Sequence, residues 1–326
     1  MKEIVFLNKN ISRWKNFESD LSSPRVTNPD SVADLFIQIT DDLAYARTYY
    51  PNSDTERYLN FLAVKTHQVI YRNKREKLSR LVTFWTHEIP MIAAEYRRYI
   101  VYSLLIFVIS VLIGIISSAK DRTFVRLIMG DRYVNMTIEN INKEDPMAVY
   151  KQMNQVDMFL GITFNNVRVS FITFIYGIAF SIGTAMVLFY NGVMLGSFQY
   201  FFAEYGLLFE SATTIWIHGT LEIWAIIVAG AAGMMMGNSI LFPGTYPRIT
   251  AFVNGATTGV KLIIGLVPFF IVAGFFEGFI TRYTNAPLAI RLAIILGSLG
   301  FIVWYFFIYP QKLLRRVNKH INQEKK

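Results

Sequence analysis

Cysteine is absent from the 326-residue sequence, which excludes disulfides, thiol nucleophiles and thiolate metal sites at once and leaves the redox compartment undetermined. Charge is also scarce. Charged residues make up 17% and hydrophobic ones 53%, and the mean hydropathy is positive, outside the usual range of soluble domains. The net charge is +9, yet no long basic run occurs. Basic residues stand instead beside apolar stretches, as Arg97-Arg98 and as Lys312, Arg315, Arg316 and Lys319, a pattern of membrane-surface anchoring and not of nucleic-acid binding. The opening residues MKEIVFLNKN hold neither an apolar core of signal-peptide length nor a small-residue cleavage site, so nothing in them sends the N-terminal part across a membrane. Also missing are the Gly-x-Ser-x-Gly elbow, the phosphate-cradling Walker loop and the Gly-x-Gly-Asp pair of intramembrane aspartyl proteases. The expectation is a chain without enzymatic activity and without a cofactor. No internal repeat of the inverted-repeat transporter kind is visible.

What is present is unevenly distributed. Charge density is ordinary at first and collapses between Tyr99 and Tyr309, so the chain divides into a cytosolic helical domain over 1–98, a transmembrane domain over 99–311 and a basic cytosolic tail over 312–326. In the first part, Asn28-Pro29-Asp30 supplies an N-cap, a first-turn proline and an acid at the positive end of a helix. Val32, Leu35, Phe36, Ile39, Leu43 and Ala46 then recur at helical spacing, and the helix should end near Tyr50-Pro51-Asn52. A second helix from about Thr55 to Lys77 should bury Leu59, Leu62, Ala63, Thr66, Val69 and Ile70. With an amphipathic start (Ile4, Leu7, Ile11, Trp14) these form a small bundle. The segment from Leu78 to Arg98 mixes Leu81, Phe84, Trp85 and Ile89 with basic residues, and is expected along the bilayer surface.

About twenty apolar residues, rising about 1.5 Å each, cross a hydrocarbon core of about 30 Å. Six stretches meet or approach this: Tyr99 to Ala119, Val169 to Tyr190, Gly192 to Phe209, Thr213 to Gly237, Leu262 to Ile280 and Leu288 to Tyr309. The third is short and interrupted by Glu204, as a re-entrant or tilted half-helix would be. Six elements, unlike five, return the basic tail to the cytosol and place Arg248 and Lys261 there. The fold class is therefore an all-α, polytopic transmembrane bundle with both termini cytosolic. The loop 120–168 is then extracytoplasmic and too long for a passive connection. Its amphipathic pieces (Phe124, Val125, Leu127, Ile128; Tyr150, Met153, Val156, Phe159, Leu160) could lie on the outer bilayer surface.

The sharpest local feature is His218 with Glu222 in the fourth span, four residues apart and so on one helix face. Ionisable groups at membrane depth cost roughly 2.5 to 3.5 kcal/mol each and survive mainly against protein or a wet cavity. Glu277 and Glu204, in neighbouring elements, complete a possible intramembrane polar cluster. It reads either as a proton or cation path or as a hydrogen-bonded strut between helices. One histidine and one glutamate leave a metal shell incomplete, so no metal is expected, and His87-Glu88 lacks its second histidine because Met91 stands there. Ala229, Gly230, Gly233 and Gly237 form a small-residue stripe for close helix packing, within the chain or at a dimer seam, with Met234 to Met236 as filler. Asn165-Asn166 and Asn191-Gly192 read as helix-end punctuation.

The run His218-Gly-Thr-Leu-Glu222-Ile-Trp-Ala225, followed by Ala229-Gly-Ala-Ala-Gly233, resembles the signature of the stage II sporulation protein M family of bacterial membrane proteins. Asp42-Leu-Ala-Tyr-Ala-Arg47 with Pro51, then Tyr58-Leu-Asn60, His67 and Tyr71, is similar to the cytosolic extension of its longer members. The asparagine pairs fit as well, so the resemblance covers nearly the whole chain; Ile223 stands where leucine commonly follows the glutamate. The resemblance implies a polytopic inner-membrane protein without catalytic activity of its own. Founding members hold cell-wall hydrolases at the septal membrane during engulfment, and many relatives occur in bacteria that do not sporulate, so architecture and membrane partners transfer and the sporulation role does not. The expected function is a scaffold or permease-like subunit of a cell-envelope complex. Its partners would be membrane lipids and other membrane or envelope proteins, with a second copy as a further candidate. The alternative is a transporter or channel using the His/Glu cluster.

Overall fold

The structure, a computed structural model, describes residues 2–22, 29–72, 79–151, 154–283 and 286–324, without the side chains of 20–22, 29–33, 68–72, 150–151 and 317–324. The cap expected at Asn28 and the side-chain roles expected of Asp30, Val32, Val69, Ile70, Tyr71, Lys77, Tyr150, Met153 and Lys319 lie outside the described residues. The described residues hold helices and no strand, in two compact units, Met1–Arg80 and Leu81–Lys326.

The first unit contains α1 (Glu3–Ser22), α2 (Pro29–Tyr49) and α3 (Asp54–Arg72). Its core is Trp14 and Phe17 with Ile39, Leu43, Ala46, Leu59, Leu62 and Ala63, the positions that helical periodicity selects, while Ile4 is exposed and Phe6 takes its place inside. Pro51 stops α2, and Asn52 enters the left-handed region at φ 63°, where asparagine is tolerated best after glycine. Ser53 then caps α3, its Oγ accepting from Glu56 N at 3.1 Å, while the Glu56 carboxylate reaches back to accept from Asn52 N at 2.7 Å. The polar signature residues stitch this unit together. Asp42 accepts from Trp14 Nε1 at 2.8 Å and pairs with Arg13, and Arg47 donates to Asn60 Oδ1 at 2.9 Å. Tyr58 donates to Glu18 Oε2 at 2.8 Å, and burial first, then that carboxylate, pushes its hydroxyl up to about 12.

The second unit begins with the end of α4 (Ser79–Thr83), a π-helical turn and α5 (Ile89–Glu95). This segment, expected along the bilayer surface, packs onto the bundle. Ile89 and Ala93 are buried, Trp85 Nε1 donates to Gly265 O at 3.2 Å, Tyr305 Oη donates to Trp85 O at 2.6 Å, and Glu88 pairs with Lys261 at 3.0 Å. The second compact unit therefore starts at Leu81, while its first membrane-long helix starts at Arg97, close to the boundary at Tyr99 read from hydropathy.

Next come α6 (Arg97–Lys120), α7 (Arg122–Met129), α8 (Asp131–Asn142), α9 (Gln155–Ile175), α10 (Ile182–Glu204), α11 (Leu208–Leu241), α12 (Arg248–Phe275), α13 (Leu288–Val303) and α14 (Tyr309–Glu324). With their 3-10 and π-helical extensions, six helical spans are long and apolar enough to cross a membrane: Arg97–Lys120, Gln155–Ile178, Ile182–Glu204, Leu208–Leu241, Arg248–Thr281 and Leu288–Arg316. At the centre stands α11, with 72% of its most apolar window buried, against 17% for the last span.

Two elements differ from the hydropathy reading. The second span begins at Gln155 and ends where the chain reverses at Ala179–Ser181, inside the apolar run 169–190; Phe180 and Ser181 have φ of 51° and 67°. No charge or proline marks this turn. It is held by Ser181 Oγ donating to Met234 O at 2.9 Å and by Gly177, where an added Cβ would lie 2.1 Å from Gly233 O. The third span then runs unbroken to Glu204, so 192–204 is no half-helix. Both asparagine pairs lie inside helices and not at their ends. Asn191 Nδ2 satisfies itself on Val187 O at 2.8 Å, and Gly192 is a packing position whose Cβ would meet Ser110 at 2.6 Å. The connection before α9 is correspondingly shorter. On its amphipathic helices α7 and α8, Val125 and Val134 join Met147, Phe201, Phe202 and Ile215 in a small core at the end of α10 and the start of α11. That inward face packs on the bundle, while Leu127 of α7 is exposed. Asp121 caps α7 by accepting from Thr123 N at 2.8 Å, and the Thr123 hydroxyl and amide hold its carboxyl below the usual range.

Candidate functional site

The small-residue stripe of α11 sets the geometry. Ala229, Gly230, Gly233 and Gly237 are buried, and a Cβ on the three glycines would meet Ser103 Oγ at 2.5 Å, Thr184 Oγ1 at 2.3 Å and Ser181 N at 2.3 Å. Neighbours on α6 and α10 and the turn before α10 therefore occupy the stripe, which leaves no room there for a dimer seam. Ser103 Oγ donates to Ile227 O at 2.6 Å across the same contact.

About two to five turns nearer the start of α11, His218 and Glu222 face α9 and the π-helical end of the fifth span. The last turn of the fifth span is π-helical over Phe276–Thr281, a widening that recurs at functional positions, and it presents Glu277 and Thr281 to His218. Nε2 of His218 lies 3.6 Å from Glu277 Oε2 and Nδ1 lies 3.0 Å from Thr281 Oγ1. The Thr281 hydroxyl also reaches Phe276 O at 3.1 Å, so it links the His218 ring to the backbone of the π-helical turn. Glu222 Oε1 accepts from Asn166 Nδ2 at 2.6 Å, so the asparagine read as punctuation is the α9 member of the site. One ligating atom from each of His218, Glu222 and Glu277 lies within 4.8 Å of the others. This is an oxygen and nitrogen set that a small rotation could close around a divalent ion. His218 is 4% exposed and Thr281 1%.

Glu204 does not join this group. It sits at the end of α10 and pairs with Arg122 at 2.7 Å, fastening α7 to the bundle. Asn165 is exposed on α9, beside Asn166 but on another face. Sequence reasoning missed Thr281 and the role of Asn166. The signals were the four-residue step from Glu277 to Thr281 and the polar or small series Thr163, Asn166, Ser170, Thr173, Gly177 at helical spacing. Two apolar grooves of about 420 and 470 Å³ open between helices, the first along Leu221, Phe269 and Phe301, the second along Phe107, Trp216 and Ile302. Neither is lined by His218, Glu222 or Glu277.

A family model described as stage II sporulation protein M matches residues 103–282, more than half of the 326. The chain belongs to the stage II sporulation protein M family. The matched region runs from α6 to the end of the π-helical turn, so every member of the His218, Glu222, Asn166, Glu277 and Thr281 group is part of the stage II sporulation protein M region. A second model, described as a domain of unknown function (DUF8413), matches residues 4–72, the three helices of the first unit. No curated protein and no solved structure matches the chain. Family and spans together make it a multi-pass membrane protein.

Proposed function

We propose that this protein is a non-catalytic scaffold of a cell-envelope membrane complex, lying in the bacterial inner membrane with both termini cytosolic. The observation that carries this reading is how the buried polar groups are used. Asn166, Glu222, His218, Thr281 and Glu277 engage one another across three helices. In a medium without water to satisfy them, such groups act as a lock on helix arrangement. A path would need the same groups to face a continuous wet cavity, and the grooves described between the helices are apolar and lie elsewhere. Close glycine contacts around α11 favour the same reading, because a frame that presents partners gains from a single rigid packing. The separate first unit, tied by its own hydrogen bonds, gives partners a surface on the cytosolic side; α7 and α8 give one on the other.

The test is crosslinking in native membranes followed by mass spectrometry on the full chain. The expectation is a small, reproducible set of membrane or envelope proteins attached to residues of the first unit or of α7 and α8. Recovery of the chain alone, together with ion or solute flux through the purified protein in vesicles that Glu222→Gln abolishes, would reverse the assignment.

A further inference from the structure

Arg168 lies inside the second span, which the sequence reading had placed outside the membrane. Thirteen residues separate it from Gln155 and ten from Ile178, so at about 1.5 Å per residue it stands about 20 Å from one end of the helix and about 15 Å from the other. An arginine side chain can reach toward an interface, but from this depth the headgroups are far on both sides. Its side chain is exposed, and it has no hydrogen bond or ion pair among the described residues. Intramembrane arginines ordinarily face protein and find a counter-charge. Here the described residues supply none.

The surroundings fit a helix partner. Gly161, Phe164, Arg168, Phe171 and Ile175 recur at helical spacing, and all five are exposed on one side of α9, with Asn165 next to the arginine. A Cβ on Gly161 would meet nothing within 4 Å, so a second backbone can come close there. Phe164 and Phe171, 78% and 46% exposed, flank the arginine with apolar area. Only 22% of the most apolar window of this span is buried within the chain.

We propose that this face of α9 binds a transmembrane helix of another protein that carries one aspartate or glutamate near its middle. The carboxylate would take two parallel hydrogen bonds from the Arg168 guanidinium and a third from the Asn165 amide, while the partner backbone settles over Gly161. A second copy of this chain does not fit, because a two-fold contact through this face sets arginine against arginine. The inference rests on the scaffold reading and names the chemistry of one partner.

The probe is a synthetic single-span peptide of leucine and alanine with one central glutamate, compared with its glutamine twin. Each is titrated by energy transfer against the labelled full-length protein in phosphatidylcholine vesicles. The expected result is at least a tenfold preference for the glutamate peptide, reduced by Arg168→Lys and lost in Arg168→Leu. That last variant removes a charge from lipid and leaves every described contact in place, so loss of the preference will not reflect misfolding; its melting temperature, at or above that of the wild type, is the check. Equal binding of the two peptides, or an undiminished preference in Arg168→Leu, overturns the proposal, and a guanidinium satisfied by lipid phosphate would give the first of these. If native crosslinks elsewhere on the chain survive in Arg168→Leu while the peptides bind alike, this face is wrong and the scaffold reading stands. If no partner is found on the wild type at all, the scaffold reading itself fails.

Discussion

Replacing Gly177 by alanine should be among the most damaging one-methyl changes in this protein. The added Cβ would sit 2.1 Å from Gly233 O, 2.6 Å from its carbonyl carbon and 2.7 Å from its Cα. All three are backbone atoms of the most buried helix, so no side-chain rotation relieves the overlap. Ordinary contact distances would be restored only if the turn after α9 moved about 1 Å away from α11. A gap of that size forfeits a quarter to a half of each affected van der Waals contact, and with some tens of atom pairs at about 0.1 to 0.2 kcal/mol each the loss is about 2 to 3 kcal/mol. The control is Gly300→Ala, since Gly300 lies in α13 with nothing within 4 Å of an added Cβ; alanine there should be neutral or slightly stabilising. Both variants of the full-length chain are unfolded from mixed micelles with increasing dodecyl sulfate. Equal midpoints for the two would refute the claim that glycine contacts around α11 hold the bundle.

Two further outcomes follow from the fold. Because the chain has no cysteine, single cysteines at exposed Glu139 on α8 and exposed Thr245 between α11 and α12 should react with an impermeant reagent from opposite sides of sealed vesicles; labelling of both from one side contradicts the six-span arrangement. In the first unit, Trp14 is fully buried and donates to Asp42, so Trp14→Ala should cost about 3 to 5 kcal/mol, seen as loss of the cooperative thermal transition of residues 1–80 while Tyr49→Ala, at an exposed position, leaves it in place.

The first unit was legible because one physical signal dominates there: water on one side of each helix enforces a period of 3.6, and Ile39, Leu43, Leu59 and Leu62 follow it. Membrane character was legible for a similar reason, since length and hydropathy alone report the solvent. Hydropathy fails at the turn between α9 and α10, because Tyr176 to Ser181 reverse direction in apolar surroundings with polar contacts made to α11 rather than to water. The same error displaced the asparagines. Asparagine ahead of an apolar run is a capping signal in water; within a bundle in lipid, Asn166 finds a carboxylate on another helix and Asn191 a carbonyl on its own. Glu204 shows the converse, an acid that interrupts an apolar run because the span ends there against Arg122. His218 and Glu222 were visible as a pair by spacing, whereas the approach of Glu277 and Thr281 depends on a π-helical turn that no local propensity announces.

The most direct test of the central claim, that buried polar groups lock α9 to α11, is a double-mutant cycle on Asn166→Ala and Glu222→Ala in the full-length protein, read as unfolding free energy in the same micelles. Interhelical hydrogen bonds in lipid couple by about 0.6 kcal/mol on average and up to about 1.7, and this buried carboxylate–amide contact at 2.6 Å is expected above the average. A coupling of about 1 kcal/mol or more is the predicted result; additivity of the two changes within about 0.3 kcal/mol would mean that the contact does not hold the helices together.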